Sequence, residues 1–301
     1  METRHFIIFN PAAGVRDARA RLEKQLEALA PVPYDRFITN GEGDAARLVR
    51  DVCRQESGPL RFYACGGDGT LGEVAQGALG FPNAAVGVWP CGSGNDYARL
   101  YGGEERFVNL KNQLDAPTVL VDLIRLDGRI AINVVNLGLE AQAAATMLRY
   151  RHHPLLGGRR AYLMGVLDAV TSHLRTACTI IADGETLHEG DLLTASFASG
   201  RYVGGGFLCA PRAVNDDGLM DICAILPLPR LTLLSLLGEY KRGHHLDSPA
   251  FEGLVTYKRA QRVRVTCQRE AALCLDGEII TGREFELETL PRALRFILPP
   301  G

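Results

Sequence analysis

The segment Gly66-Gly67-Asp68-Gly69-Thr70 constrains the fold more than any other part of the chain. It follows Leu60-Arg61-Phe62-Tyr63-Ala64-Cys65, a short apolar run of strand length. It precedes Leu71–Leu79, whose apolar residues recur at helical spacing. A strand, a glycine turn and a helix start leave N–H groups and the positive end of a helix dipole at one point. Glycine then lets an anion approach the backbone. A carboxylate at the tip of such a cradle repels phosphate unless a divalent cation lies between them. Taken alone, Asp68 reads equally well as a plain helix cap in a tight Gly-Asp-Gly turn.

The flanking sequence repeats the pattern. His5–Phe9 is a strand running into Asn10-Pro11, and Arg19–Leu29 places Leu22, Leu26 and Leu29 on one helical face. Tyr34–Thr39 is a second strand, and Gly43–Arg50 opens a helix with Asp44 as its N-cap. Ala85–Pro90 is a fourth strand, leading into a second polar turn, Cys91-Gly92-Ser93-Gly94-Asn95-Asp96-Tyr97-Ala98-Arg99. The alternation predicts a Rossmann-like α/β domain with a parallel sheet. Ligands in such sheets collect beyond the carboxyl ends of the strands. Asn10, Thr39, Gly66–Thr70 and Gly92–Asp96 all follow strand ends, so they are expected along one edge.

Near residue 118 the texture changes. Asp127-Gly128 joins Val119–Leu126 to Ile130–Asn136 as a hairpin. Helices are expected over Ala141–Arg149, Arg160–Leu174 and Arg230–Tyr240. Strands are expected at Ala177–Ala182, Leu192–Ala198, Leu219–Leu226, Arg262–Cys267, Ala272–Leu275, Phe285–Leu287 and Ala293–Leu298. Runs of strands with few crossovers predict an antiparallel β-sandwich. The chain therefore divides into an α/β domain, 1–120, and a sandwich, 121–289, with a strand near 290–299 returning to the first. At 301 residues and 47% apolar, it can bury two cores. A net charge of -2 leaves no footprint for nucleic acid. Eight scattered cysteines, several inside apolar runs, read as buried thiols in a reducing cytoplasm. The N-terminus enters a strand without a signal peptide. The longest apolar run, near Leu226–Leu237, is too broken by prolines and an arginine to span a membrane.

Gly66–Val74 followed by Gly92–Arg99 resembles the diacylglycerol kinase catalytic family, which includes bacterial lipid kinases, sphingosine kinases and ceramide kinases. Asn10-Pro11, Tyr202-Val203-Gly204-Gly205-Gly206 before Ala210-Pro211, Asp217-Gly218-Leu219-Met220-Asp221 and Asp276-Gly277-Glu278 extend the resemblance in order over nearly the whole chain. The glycine-aspartate turn alone is shared with NAD kinases and phosphofructokinases; the full series is more specific. The resemblance implies a nucleotide-binding domain, a β-sandwich domain, and an active site with ATP in the cleft between them. Asn10, Thr39, Gly66, Gly67, Asp68, Gly69, Thr70, Leu71, Gly72 and Ser93 fall where the family holds ATP. Asp68, Asp96 and Asp122 fall on its acidic network around Mg2+, a cation that phosphoryl transfer uses to neutralise developing charge. Glu278 falls at the family's base for the acceptor hydroxyl, with Asp276 the second candidate. Asp217, with the carbonyls of Val214 and Leu219, falls on a structural Mg2+ site, whose oxygen ligands suit that ion.

Each of these residues also has a plain reading. Asp96 is a helix N-cap, Asp122 a solvated strand end, Asp276-Gly277-Glu278 a surface hairpin, and Asn215–Leu219 an acidic turn without metal. Two departures stand out: Gly72 replaces the asparagine common there, and Ser93-Gly94 replaces the threonine and alanine of many bacterial members. The resemblance implies a lipid acceptor presented at a membrane surface, hence a cytoplasmic protein in peripheral contact with the inner face; a homodimer stays open. Arg149, Arg151, His152, His153, Arg159 and Arg160 form either a headgroup dock or a solvated loop. Leu231, Leu233, Leu234, Leu236 and Leu237 are read as core, an acyl-chain groove being the alternative. Two other functions compete: a kinase of a soluble acceptor such as NAD, and a nucleotide-binding regulator without catalysis. Asp68, Asp96 and Glu278 argue against the second.

Overall fold

A computed structural model describes residues 2–13, 17–150 and 175–301. The chain forms two compact units, Met1–Asp122 with Pro291–Gly301, and Leu123–Leu290. The helix expected over Arg160–Leu174, the basic run from Arg151 to Arg160 and the Arg149 side chain lie outside the described residues.

The first unit runs β1 (Arg4–Phe9), α1 (Ala18–Glu27), β2 (Asp35–Ile38), α2 (Asp44–Gln55), β3 (Leu60–Gly66), α3 (Asp68–Ala78), β4 (Ala84–Pro90), α4 (Asp96–Arg99), α5 (Leu110–Leu114) and β5 (Thr118–Leu126), whose last residues enter the second unit. Its strands lie in the order β2-β1-β3-β4, all parallel. Arg295 and Phe296, near the end of the chain, add a parallel neighbour to β4. Parallel strands covered on both faces need continuous apolar sequence. Phe6–Phe9 and Phe62–Cys65 supply it and are buried throughout. On one face α1 seats Leu22 and Leu26 against Ile7, Phe9, Tyr63 and Trp89. A fully buried leucine stabilises by about 1.5–3 kcal/mol. Asp44 is not the cap of α2. Gly43, at φ 77°, takes that position, while Asp44 accepts the N–H of Asn40 (2.9 Å) and pairs with Arg47.

The second unit contains β6 (Arg129–Ala131), β7 (Val134–Gly138), α6 (Leu139–Tyr150), β8 (Thr176–Ala182), β9 (Glu185–Leu192), β10 (Thr194–Ala198), β11 (Tyr202–Val203), β12 (Phe207–Leu208), β13 (Met220–Ile225), α7 (Arg230–Lys241), β14 (Val255–Ala260), β15 (Arg262–Leu275) and β16 (Glu278–Ile297), whose end belongs to the first unit. Its strands pair antiparallel, β14-β13-β10-β7-β15-β16, with β8 and β9 joined through β15. An irregularity between Thr266 and Ala271 turns β15, so its first half pairs with β8 and its last residues with β7. The resulting β-sandwich-like domain closes over Leu137, Ile180, Phe197, Ile222, Val265 and Leu273.

Several expected strands change in extent. Leu192–Ala198 is two strands, because the Leu193 N–H leaves the ladder for the Ile225 carbonyl (2.9 Å). The four short segments after Arg262 are two long strands. Strands β9 and β14 escape sequence reading, since Glu185, Glu189, Asp191, Lys258 and Arg259 break their apolar alternation. All eight cysteines are free and buried. Among the described residues no helix is long and apolar enough to cross a membrane.

Candidate active site

In the first unit the two glycine turns follow β3 and β4 and meet backbone to backbone. A methyl group on Gly92 would lie 2.4 Å from the Gly67 Cα, so the second turn has no room for a side chain at the contact, and one on Gly67 would be tight at 3.1 Å from the Gly92 Cα. The Cys91 N–H donates to the Gly66 carbonyl (2.9 Å). Asn95, left-handed at φ 50°, closes the second turn: its side chain accepts from the Gly92 N–H and donates to the Gly92 carbonyl, both at 3.0 Å. Asp68 opens α3 yet caps a different helix. Its carboxylate accepts the N–H groups of Asp96 (3.1 Å) and Tyr97 (3.0 Å) at the start of α4. Burial raises the Asp68 carboxyl above the usual carboxylate range, against the pull of these N–H groups and of Arg99.

Asp96 is buried, with its carboxylate 3.4 Å from the Arg99 guanidinium. Arg99 also donates to the Gly94 carbonyl (3.2 Å). A Cβ on Gly94 would lie 3.1 Å from Asp68 Oδ2 and 3.2 Å from Asp96 Oδ2, so both carboxylates border the same glycine. Asn10 donates from Nδ2 to the Thr70 hydroxyl (3.1 Å), tying the end of β1 to the first turn of α3. The N–H groups of that first turn lack intrahelical acceptors. Gly69 is exposed, and no heavy atom lies within 4 Å of where its Cβ would be. Gly72 is equally open. Leu71 offers no donor: its N–H bonds the Gly67 carbonyl (3.1 Å) and its side chain is core. Thr39 is buried at the end of β2, and Ser93 is exposed on the second turn. Asp122 is no solvated strand end. It is 0% exposed within β5, and its Oδ1 accepts the Arg292 N–H (2.7 Å).

In the second unit Asp276 (φ 47°) and Gly277 (φ 102°) turn β15 into β16. The Asp276 carboxylate accepts the N–H groups of Ile132 (2.6 Å), Asn133 (3.2 Å) and Val134 (2.9 Å). That commits Asp276 to holding the start of β7. Glu278 is the more available carboxylate, about a third exposed and 3.1 Å from the Arg129 guanidinium. Asp217 accepts the Leu219 N–H on Oδ1 (3.1 Å) and pairs through Oδ2 with Arg259. Val214 is exposed.

Residues 4–126 match the family model of the diacylglycerol kinase catalytic domain, and residues 133–298 match that of the YegS C-terminal NAD kinase beta sandwich-like domain. The chain belongs to the YegS-like lipid kinase family. A protein of Pseudomonas aeruginosa named "Probable lipid kinase YegS-like" is 30% identical over 98% of this chain and 94% of its own length. A namesake in Pseudomonas syringae pv. syringae is 32% identical over 95% and 88%. Among solved structures, a diacylglycerol kinase from Bacillus anthracis str. Sterne superimposes with a TM-score of 0.70 at 19% identity, covering 99% of this chain and 97% of that one. An NAD kinase from Archaeoglobus fulgidus in complex with ATP gives 0.51 at 12%, covering 98% and 94%. These two likenesses establish the fold.

The residues at Asp217 do not fit the structural Mg2+ that the sequence resemblance implies. The Leu219 backbone presents its N–H to one carboxylate oxygen, and the other is paired with a cation, the Arg259 guanidinium. Arg259 also lies 3.7 Å from the buried Asp221, its cross-strand partner in β13. The guanidinium already stands where a cation would, and would repel a second one. Among the described residues no group of three or more His, Cys, Asp or Glu is placed to hold a metal. Thermal unfolding without nucleotide is therefore expected to be unchanged by EDTA; a melting temperature several degrees lower would restore a structural metal.

Sequence reading identified the glycine turns but missed two partners. The use of Asp68 as a cap for α4 rests on a long-range contact with no local signal. Arg129, beside Glu278, belongs to no motif. A groove of about 330 Å³, lined by Phe81, Pro82, Leu120, Arg292 and Arg295, lies at the amino end of β4, the opposite edge of the sheet from the glycine turns. It holds none of the expected residues.

Proposed function

We propose that the chain transfers the γ-phosphoryl group of ATP to a hydroxyl of diacylglycerol or a related lipid. The observation that carries this reading is the open ground above Gly69. Two glycine turns are locked together by Asp68, yet the first turn of α3 ends in space that no side chain fills. A phosphate seated there meets N–H donors and the positive end of the helix dipole. The nucleotide would enter as its magnesium salt, and the paired carboxylates of Asp68 and Asp96 supply oxygen donors suited to that ion. Magnesium would neutralise charge on the phosphoryl oxygens during transfer. Glu278 takes the proton of the acceptor hydroxyl as its oxygen bonds to phosphorus. The bond from phosphorus to the bridging oxygen breaks, and ADP leaves.

Gly69→Ala tests the nucleotide's place. Inside a helix the change is expected to stabilise the fold by about 0.5–1 kcal/mol, because alanine loses less backbone freedom on folding. The same methyl would occupy the phosphate's approach, so ATP affinity is expected to fall at least tenfold by calorimetric titration. Unchanged affinity would remove the phosphate from this turn.

The function itself is tested by ATP consumption with Mg2+ over mixed micelles containing diacylglycerol, phosphatidylglycerol, sphingosine or ceramide, with NAD as the soluble control. Lipid-dependent turnover supports the reading. Turnover with NAD alone would assign a soluble acceptor, and ATP binding without turnover would assign a regulator.

A further inference from the structure

Helix α7, Arg-Leu-Thr-Leu-Leu-Ser-Leu-Leu-Gly-Glu-Tyr-Lys, carries leucine on both faces. Its inner face is fixed to the second unit. Leu233 is buried with Leu139, Leu193 and Ile225. The Tyr240 hydroxyl donates to Glu140 (2.5 Å), which also accepts from Ser196 (3.0 Å). The outer face is different. Leu231 is 82% exposed and Leu234 53% exposed, one helical turn apart, so the expected core packing holds for Leu233 and fails for these two. Ser235 and Gly238 continue the same exposed face with small side chains. A helix surface in water ordinarily carries polar residues, and contiguous exposed leucines mark a contact surface.

The charges say which contact. Arg230 stands at the start of the helix, and Lys241 and Arg242 at its end. Glu239 is the helix's one acid, and it is already paired with Arg242 and His244. The Lys241 ammonium lies 5.3 Å from the centre of the Phe207 ring. An apolar stripe between cationic ends matches the interfacial layer of a bilayer, acyl chains meeting leucine and anionic headgroups meeting the ends. We infer that the outer face of α7 docks the protein on an anionic lipid surface, through Leu231 and Leu234. This rests on the lipid-kinase reading for its biological sense, because an acceptor held in a bilayer must be met there.

The test uses the full chain and its Leu231→Ser, Leu234→Ser double variant, with vesicles of phosphatidylcholine and phosphatidylglycerol. Co-sedimentation is expected to show partitioning reduced at least tenfold in the variant, since one leucine's burial is worth about that factor. Added salt should weaken wild-type binding as the cationic ends are screened. The melting temperature should not move, and neither should turnover of dihexanoylglycerol, a water-soluble acceptor. Equal partitioning of variant and wild type would overturn the inference even if dihexanoylglycerol is phosphorylated. Lost partitioning in a protein that phosphorylates no lipid would keep the docking face and overturn the kinase reading instead. A wild-type dimer in sedimentation velocity that the two substitutions dissociate would give the face to a second copy of the chain and overturn the bilayer assignment.

Discussion

Glu278→Gln is expected to lower turnover of the lipid acceptor by about 10²–10⁴-fold, the usual contribution of a positioned general base. The ATP dependence should stay as it is. The substitution keeps size and shape, and the amide oxygen can still accept from Arg129, so the hairpin is undisturbed. What it removes is the capacity to take a proton. Phosphoryl transfer passes through a loose transition state in most analyses, with limited proton transfer at its peak, which favours the lower end of the range. Single-turnover phosphorylation of diacylglycerol at saturating ATP reads the chemical step directly. Activity within threefold of wild type would dismiss Glu278 as base. Asp276 would not inherit the role, because its oxygens are committed to three backbone N–H groups and losing them would loosen the start of β7.

The two units were not equally legible. In the first, β1, β3 and β4 are largely apolar runs that lead into asparagine, glycine or proline, while the short β2 carries Asp35 and Arg36 and is half-exposed. Strand ends could therefore be placed on one edge of the sheet, and the site residues with them. In the second, β9 and β14 carry charges at positions an alternating pattern would keep apolar, and β15 spans an irregularity that reads as a gap. Side-chain roles were less legible than positions. The local spacing around Asp68 permits a cap for its own helix, but the carboxylate serves α4, some thirty residues on. Asp217 matches a metal-site motif, but Arg259 comes from a strand the sequence did not reveal. Leu231 and Leu234 have the composition of core, and only the packing of α7 shows that they face outward.

Asp68→Ala is expected to reduce kcat/KM for ATP by about 10²–10³-fold, through the architecture of the site as well as its charge. The carboxylate is the acceptor for two N–H groups at the start of α4, and charge-assisted bonds of this kind are worth about 1.5–3 kcal/mol each. Its loss leaves the Asp96 and Tyr97 N–H groups without that acceptor and frees the second turn to move against the first. Asp68→Asn should repair little: the amide oxygen can accept one N–H, but its NH2 group then faces the other donor. Two measurements separate scaffold from ligand. If Asp68 holds the turns together, amide exchange at Asp96 and Tyr97 accelerates by at least tenfold in nucleotide-free protein, and ATP binding weakens with it. If activity falls while those amides stay protected, the Gly67–Gly92 contact and the Cys91–Gly66 bond suffice to hold the turns, and Asp68 acts on the nucleotide alone. The hydrogen-bond geometry already favours the first outcome. Each oxygen of the carboxylate already accepts one backbone N–H at the start of α4, so Asp68 braces the loop before a nucleotide arrives and keeps further lone pairs for the ion that the nucleotide would bring.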